Sequence, residues 1–202
     1  MTCRILDVEK YEELKSKRLV IYGAGQYGNF LYSFLELKGL GENVLCFAVT
    51  DTSDNPDIFC GKSVECIHKI QKCLKDCIVI LALGEKAAAE VSESLTNCMV
   101  KDLCRINGLA VEKIRKELIA GYRKIPLQEN KIILSSYDGM GYRCNCKYIA
   151  ERLLRDKAPV ELVWLVSDDS ISDLPDGIGK VVINSPQFYR EVLTAKVYIT
   201  NT

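Results

Sequence analysis

The chain has 202 residues, 48% of them apolar, with 27 basic and 27 acidic side chains. That length fits one large domain or two small ones with a proper core. Zero net charge gives no basic stripe for nucleic acid, and no apolar run is as long as a bilayer span. The amino-terminal stretch MTCRILDVEKYEELKSK lacks the apolar centre of a signal peptide. The expected location is therefore the cytoplasm, with peripheral attachment at the inner membrane face and homo-oligomerisation left open.

In chain order, residues 8–16 read as a short polar helix and residues 18–22 as a β-branched strand. A glycine turn follows, Gly23-Ala24-Gly25-Gln26-Tyr27-Gly28. From Gln26 the apolar residues Tyr27, Phe30, Leu31, Phe34, Leu35 and Leu37 recur at three and four, predicting a helix to Lys38. Residues 44–50 are almost wholly apolar, as a buried parallel strand should be. Residues 51–61 read as a loop and 66–74 as a short helix. Residues 77–83 (CIVILAL) form the most apolar strand, 86–95 an alanine-rich helix, 99–106 a weak edge strand and 109–122 a helix. Alternating strands and helices imply a parallel sheet with right-handed crossovers.

Around Pro126 the pattern resets, so residues 123–130 read as a linker between a first domain (1–122) and a second (131–202). The rhythm then restarts. A strand at 131–136 feeds a glycine loop at 137–141 and a helix at 145–155. A strand at 160–166 carries Trp164, which reads as core. An acidic turn region spans 168–179, and a short strand 181–183. Ser185 and Pro186 open a helix to Thr194 as N-cap and first residue, and a last strand takes 196–200. That strand leaves the second sheet with about four strands, so the chain reads as a fragment or a shortened chain.

Ten cysteines fit reduced thiols better than a secreted disulfide scaffold. Cys46, Cys77 and Cys98 read as small buried hydrophobes, and Cys144 and Cys146 as exposed loop thiols. Neither the Cys73/Cys77 nor the Cys144/Cys146 spacing belongs to a paired C-x-x-C set, and His68 is the single histidine. No metal site is expected.

Strand, G-x-G-x-x-G, helix, strand and acid is the opening of a dinucleotide-binding unit. Gly23, Gly25 and Gly28 would let backbone N–H groups and the helix N-terminus hold a phosphate. The same residues also suit a tight strand–helix turn with no ligand. Asp51 either binds the two hydroxyls of an adenosine ribose or starts a turn. Gly84 and Lys86 follow the third predicted strand at the same sheet edge, where Lys86 reaches a phosphate or stays solvated. In the second domain Ser135, Ser136, Asp138, Gly139, Gly141 and Asn145 lie beyond a strand's carboxyl end, where open α/β sheets place ligands. They read as substrate contacts or as a connecting loop.

Two resemblances sharpen these readings. The segments KIILSSYDGMGYRCNCKYIAERLL, VELVWLVSD, LPDG and VVINSPQFYREVLTAKVYITN resemble, in order, the opening of the CDP-glycerol glycerophosphotransferase family of teichoic acid synthesis. Asn145-Cys146-Lys147 stands where that family usually has Asn-Pro-Lys. The likeness implies the first half of a two-Rossmann, GT-B-type glycosyltransferase-like fold, contacting a polyol-phosphate polymer acceptor. The family's catalytic His-Gly pair follows its Ile-Thr-Asn strand, so no catalytic residue is assigned here. The segments IYGAGQYG, FAVTD and GKSV resemble the small Rossmann-like modules of polysaccharide-synthesis proteins, among them amino-terminal domains of sugar acyltransferases and nucleotide-sugar dehydratases. That likeness implies NAD(H) or a nucleotide sugar as ligand. The expectation is thus an α/β chain of two Rossmann-like parallel-sheet units. Its function would be part of a glycerophosphate or related transferase for cell-wall or capsular polymers. The alternatives are an NAD- or nucleotide-sugar-dependent enzyme and a non-catalytic ligand-sensing scaffold.

Overall fold

A computed structural model describes residues 3–95, 98, 100–171 and 173–201. Met99, Ser172 and Thr202, on which parts of the expected segments fall, lie outside the described residues. The chain divides into two α/β units, Met1–Leu118 and Ile119–Thr202.

In the first unit the strands are β1 (Arg4–Ile5), β2 (Arg18–Tyr22), β3 (Val44–Val49), β4 (Ile58–Phe59), β5 (Lys62–Cys66), β6 (Cys77–Leu81) and β7 (Asp102–Arg105). Helix α1 (Gln26–Leu37) links β2 to β3, α2 (Gln71–Leu74) precedes β6, and α3 (Glu85–Ser94) links β6 to β7. Helix α4 (Gly108–Tyr122) follows β7, and the division between units falls inside it. The sheet order is β1-β7-β6-β2-β3-β5-β4, parallel throughout except for the β4–β5 pair. The chain winds outward from β2 to β3 and β5, then returns to the other side of β2 for β6 and β7. Strands that are covered on both faces must be apolar on both, which is why β2, β3 and β6 read as unbroken apolar runs. One face buries Val20, Tyr22, Val79 and Leu81 with Ala88 of α3 and Leu74 of α2. On α1, the Tyr32 ring packs 5.8 Å from that of Phe47 in β3.

Several local expectations change. Residues 62–66 form a strand where no element was expected before a helix at Cys66, because Val64 docks opposite Phe47 on the free edge of β3. The hairpin to β4 closes through Cys60 (φ 51°) and Gly61 (φ 75°), a two-residue turn of left-handed residues. Cys-Gly is not the usual Asn-Gly signal, so it was not legible. The predicted helix at 66–74 contracts to α2, since Cys66 still pairs with Val49. β7 is no edge strand, because β1 lies on it and Arg4 approaches Asp102 at 3.4 Å. The amino-terminal helix is a 3₁₀ segment, Val8–Leu14, capped by Asp7.

The second unit holds β8 (Gln128–Ser136), α5 (Cys144–Arg155), β9 (Glu161–Val166), β10 (Ile178–Val182), α6 (Pro186–Thr194) and β11 (Ala195–Asn201). Its sheet is wholly parallel, in the order β10-β9-β8-β11. β8 begins inside the segment read as a linker, where Gln128 pairs with Ala195. Along β8 and β9 successive side chains go to opposite faces. Leu134, Leu162, Trp164 and Val166 join Cys146 and Ala150 of α5 on one side. On the other side, Ile133, Val163 and Leu165 pack with Phe188 and Val192 of α6. Trp164 is core, as expected, with the Tyr142 ring 4.6 Å away. Cys144 and Cys146 are not loop thiols: α5 starts at Cys144, and the apolar side of the helix takes Cys146 into the core. Lys131 of β8 is also buried, between the carboxylates of Glu161 (3.2 Å) and Glu191.

Ser185 caps α6 by accepting the Phe188 N–H at 3.1 Å, with Pro186 at the first position. Ser185→Ala is expected to lower the unit's stability by about 1 kcal/mol, measurable by urea denaturation. Cys46, Cys77 and Cys98 are buried, as expected. Burial pushes the Cys46 and Cys60 thiols up to about 11 and the Cys104 thiol up to about 12. Among the described residues, no helix is long and apolar enough to cross a membrane.

Candidate functional site

In an open parallel sheet, ligands bind beyond the strand carboxyl ends, where the winding reverses and neighbouring loops part. In the first unit the reversal lies between β2 and β6, and a cavity of about 670 Å³ opens there. The glycine turn after β2 forms one wall, Val49 at the end of β3 with Thr50, Asp51, Asp54 and Asn55 another, and Ala82, Leu83 and Gly84 after β6 the third.

The glycines divide the labour. A Cβ on Gly28 would stand 2.1 Å from the Gly23 carbonyl oxygen and 3.2 Å from the Phe47 ring, so this glycine lets α1 lie against the sheet. Gly23 has φ 112° and faces the Ala82 carbonyl. Gly25 caps α1 without a side chain, and nothing lies within 4 Å of where its Cβ would be. The opening N–H groups of α1 have no intrahelical acceptor, and with the helix dipole they favour an anion.

Of the residues expected at this site, Gly23, Ala24, Gly25, Gln26, Tyr27, Asp51 and Gly84 line the cavity. Gly28 lies behind the turn. Lys86 is exposed on α3 and does not line it, whereas Ala87 and Val91 do. The Asp51 carboxylate accepts the Ser53 N–H at 3.0 Å, and this bond holds its pKa below the usual carboxylate value. Its carbonyl accepts from Asn55 Nδ2 at 2.9 Å. Asp51 thus starts a turn and faces the cavity at once. Sequence reasoning missed Tyr22, Thr50, Asp54 and Asn55. The Tyr22 hydroxyl pairs with that of Thr50 at the strand ends. Strand carboxyl ends were the signal that could have found them.

In the second unit the winding reverses between β8 and β11, and a cavity of about 520 Å³ lies at the carboxyl edge on the α6 side. Ser135 and Asp138 line it, together with Ser167, Asn184 and Tyr198, which sequence reasoning missed. The other expected residues do not line it. Ser136 is fully buried and its hydroxyl donates to the Arg143 carbonyl at 2.7 Å. Gly139 presses on the end of β9, its carbonyl accepting the Ser167 N–H at 3.0 Å. Gly141 lies beside the Arg143 guanidinium, and Asn145 is exposed on α5. The Tyr137 hydroxyl and Cys144 Sγ lie 3.2 Å apart in hydrogen-bond contact, and the neighbouring acidic thiol raises the tyrosine pKa.

Two doubly wound α/β units built on parallel sheets, each with a cavity where its winding reverses, define a chain of the parallel-sheet α/β class. Residues 119–202 match the family model of CDP-glycerol:poly(glycerophosphate) glycerophosphotransferase. The match begins where the second unit begins, takes in residues ahead of those quoted from the sequence, and covers no residue of the first unit. No curated protein and no solved structure matches the chain.

Proposed function

We propose that the second unit is the acceptor-side part of a transferase that moves glycerol phosphate, or a related polyol phosphate, onto a cell-wall or capsular polymer. The observation that carries this reading is the family match across the whole unit, 119–202. The first unit is then an accessory module that takes a nucleotide or nucleotide sugar, with NAD(H) as the other candidate. The cavity between β2 and β6 and the open face of Gly25 at the start of α1 support that part.

Phosphoryl transfer needs cationic and hydrogen-bonding groups around the moving phosphate. Among the described residues lining the second unit's cavity there is no lysine or arginine, and the one histidine, His68, belongs to the first unit. This chain alone is therefore expected to turn over no CDP-glycerol. Calorimetry with a UDP-sugar, CDP-glycerol and NAD(H), beside a turnover assay, tests the reading. The expected result is binding of one nucleotide at the first unit and no turnover. Turnover of CDP-glycerol by the chain, or oxidation of a sugar with NAD, would overturn it. The turn that occupies the Asp51 carboxylate favours a second reading, a scaffold without ligand, and silence with all three compounds would select it.

A further inference from the structure

We infer that the cavity of the second unit is built for the uncharged, hydroxyl-bearing part of a polyol and turns a phosphate away. This rests on the transferase reading and specifies which part of such a polymer the unit grips. The polar residues lining the cavity are Ser135, Ser167, Tyr198, Asn184 and Asp138, and the Ser167 hydroxyl also donates to the Asp168 carboxylate at 3.2 Å. Hydroxyls and amides can both donate and accept, and a carboxylate accepts from hydroxyls. Ile183 and Phe188 add an apolar wall for carbon-bound hydrogens.

Among the described residues lining the cavity none is lysine or arginine, and the two lysines of β8 and β10 are engaged elsewhere. Lys131 is buried between Glu161 and Glu191. Lys180 is held by the Asp169 carboxylate at 2.7 Å and its carbonyl at 2.9 Å. The start of α6 is also a poor anion site. Pro186 has no N–H, and the Phe188 N–H is taken by the Ser185 hydroxyl. A phosphate entering here would meet the Asp138 carboxylate with no lysine or arginine among the described lining residues to offset the repulsion. Asp138 and Asn184 both hold left-handed backbone, with φ 53° and 64°. In a polymer that alternates polyol and phosphate, the polyol would enter and the phosphates would stay in solvent.

The experiment measures binding of ribitol, inorganic phosphate and a short poly(glycerophosphate) oligomer to the full chain by saturation-transfer NMR and calorimetry. Asp138→Asn is the variant, since asparagine also accepts left-handed backbone. Ribitol is expected to bind and phosphate not to compete. The variant should bind ribitol about tenfold more weakly, through loss of hydrogen bonds to a charged acceptor. Phosphate that displaces ribitol, or ribitol binding unchanged in Asp138→Asn, would overturn the inference. Oligomer binding that ignores Asp138→Asn would put the polymer elsewhere and sink the pocket while leaving the transferase reading. Ribitol binding that depends on Asp138, with no oligomer binding, would uphold the pocket and sink that reading.

Discussion

Gly28→Ala is expected to destabilise the first unit by about 3 kcal/mol, at the upper end for overpacking of a tight contact. The added Cβ would sit 2.1 Å from the Gly23 carbonyl oxygen, a backbone atom that cannot swing aside. Relief requires α1 to lift from β3, which also opens the contact with Phe47. Gly25→Ala separates folding from function within the same turn. Its Cβ would enter open space at an ordinary backbone angle of φ −116°, so the cost should be limited to the poorer helix cap, no more than about 1 kcal/mol. It would stand where a phosphate approaches the start of α1, and nucleotide affinity should fall about tenfold or more. Urea denaturation and calorimetry on both variants measure the two effects. Equal losses of stability at the two positions would refute this division.

Lys131→Ala is expected to cost the second unit about 3 kcal/mol, the lower end for breaking a buried ion pair. It leaves the Glu191 carboxylate, with a side chain 18% exposed, facing a hole. Glu161, at 48%, recovers much of its hydration and adds little. Lys131→Met fills the volume and should cost less, though it too strands Glu191. Lys131→Met with Glu191→Leu should recover most of the loss, because an apolar pair of similar size avoids desolvating charge. The pH dependence follows from the same cluster. Burial pulls the Lys131 pKa down, the two carboxylates together outweigh that effect, and the net pKa lies above the ordinary lysine value. A raised folded pKa contributes stability that is fully present below the unfolded value, about 10.4 for lysine, and is lost as pH rises through the folded value. Wild-type stability should therefore drop on the alkaline side of about pH 10, and the double variant should lack that part of the drop. Denaturant midpoints at successive pH values read it directly.

Most of the elements were legible because buried parallel strands and amphipathic helices write their periods locally. β2 was expected at its observed bounds, and α1, α4, β9 and α6 to within a residue or so. Ser185 announced its helix because a cap and a proline at the first position are local chemistry. The misses share a different cause. β1, β4 and β5 are short strands whose pairing partners supply the reason for their shape: Val64 is a strand residue because Phe47 lies opposite, and Arg4 because Cys104 does. Cys146 was misplaced because burial depends on which way α5 faces the sheet.

The same distinction holds at the sites. The glycine turn was readable because a backbone needing Gly28 against Gly23 restricts residue type at a fixed spacing. Asp54 and Asn55, and in the second unit Ser167, Asn184 and Tyr198, carry no such spacing, since they reach their cavities from separate strand ends. By itself, the sequence determined the alternation of strands and helices, the apolar core of each sheet and the glycine-turn pattern, all of which depend on neighbours in the chain. Only the tertiary structure decided the strand order, the points where the winding reverses and the charge around each cavity. Those depend on which distant segments pair, and local periodicity does not encode a partner.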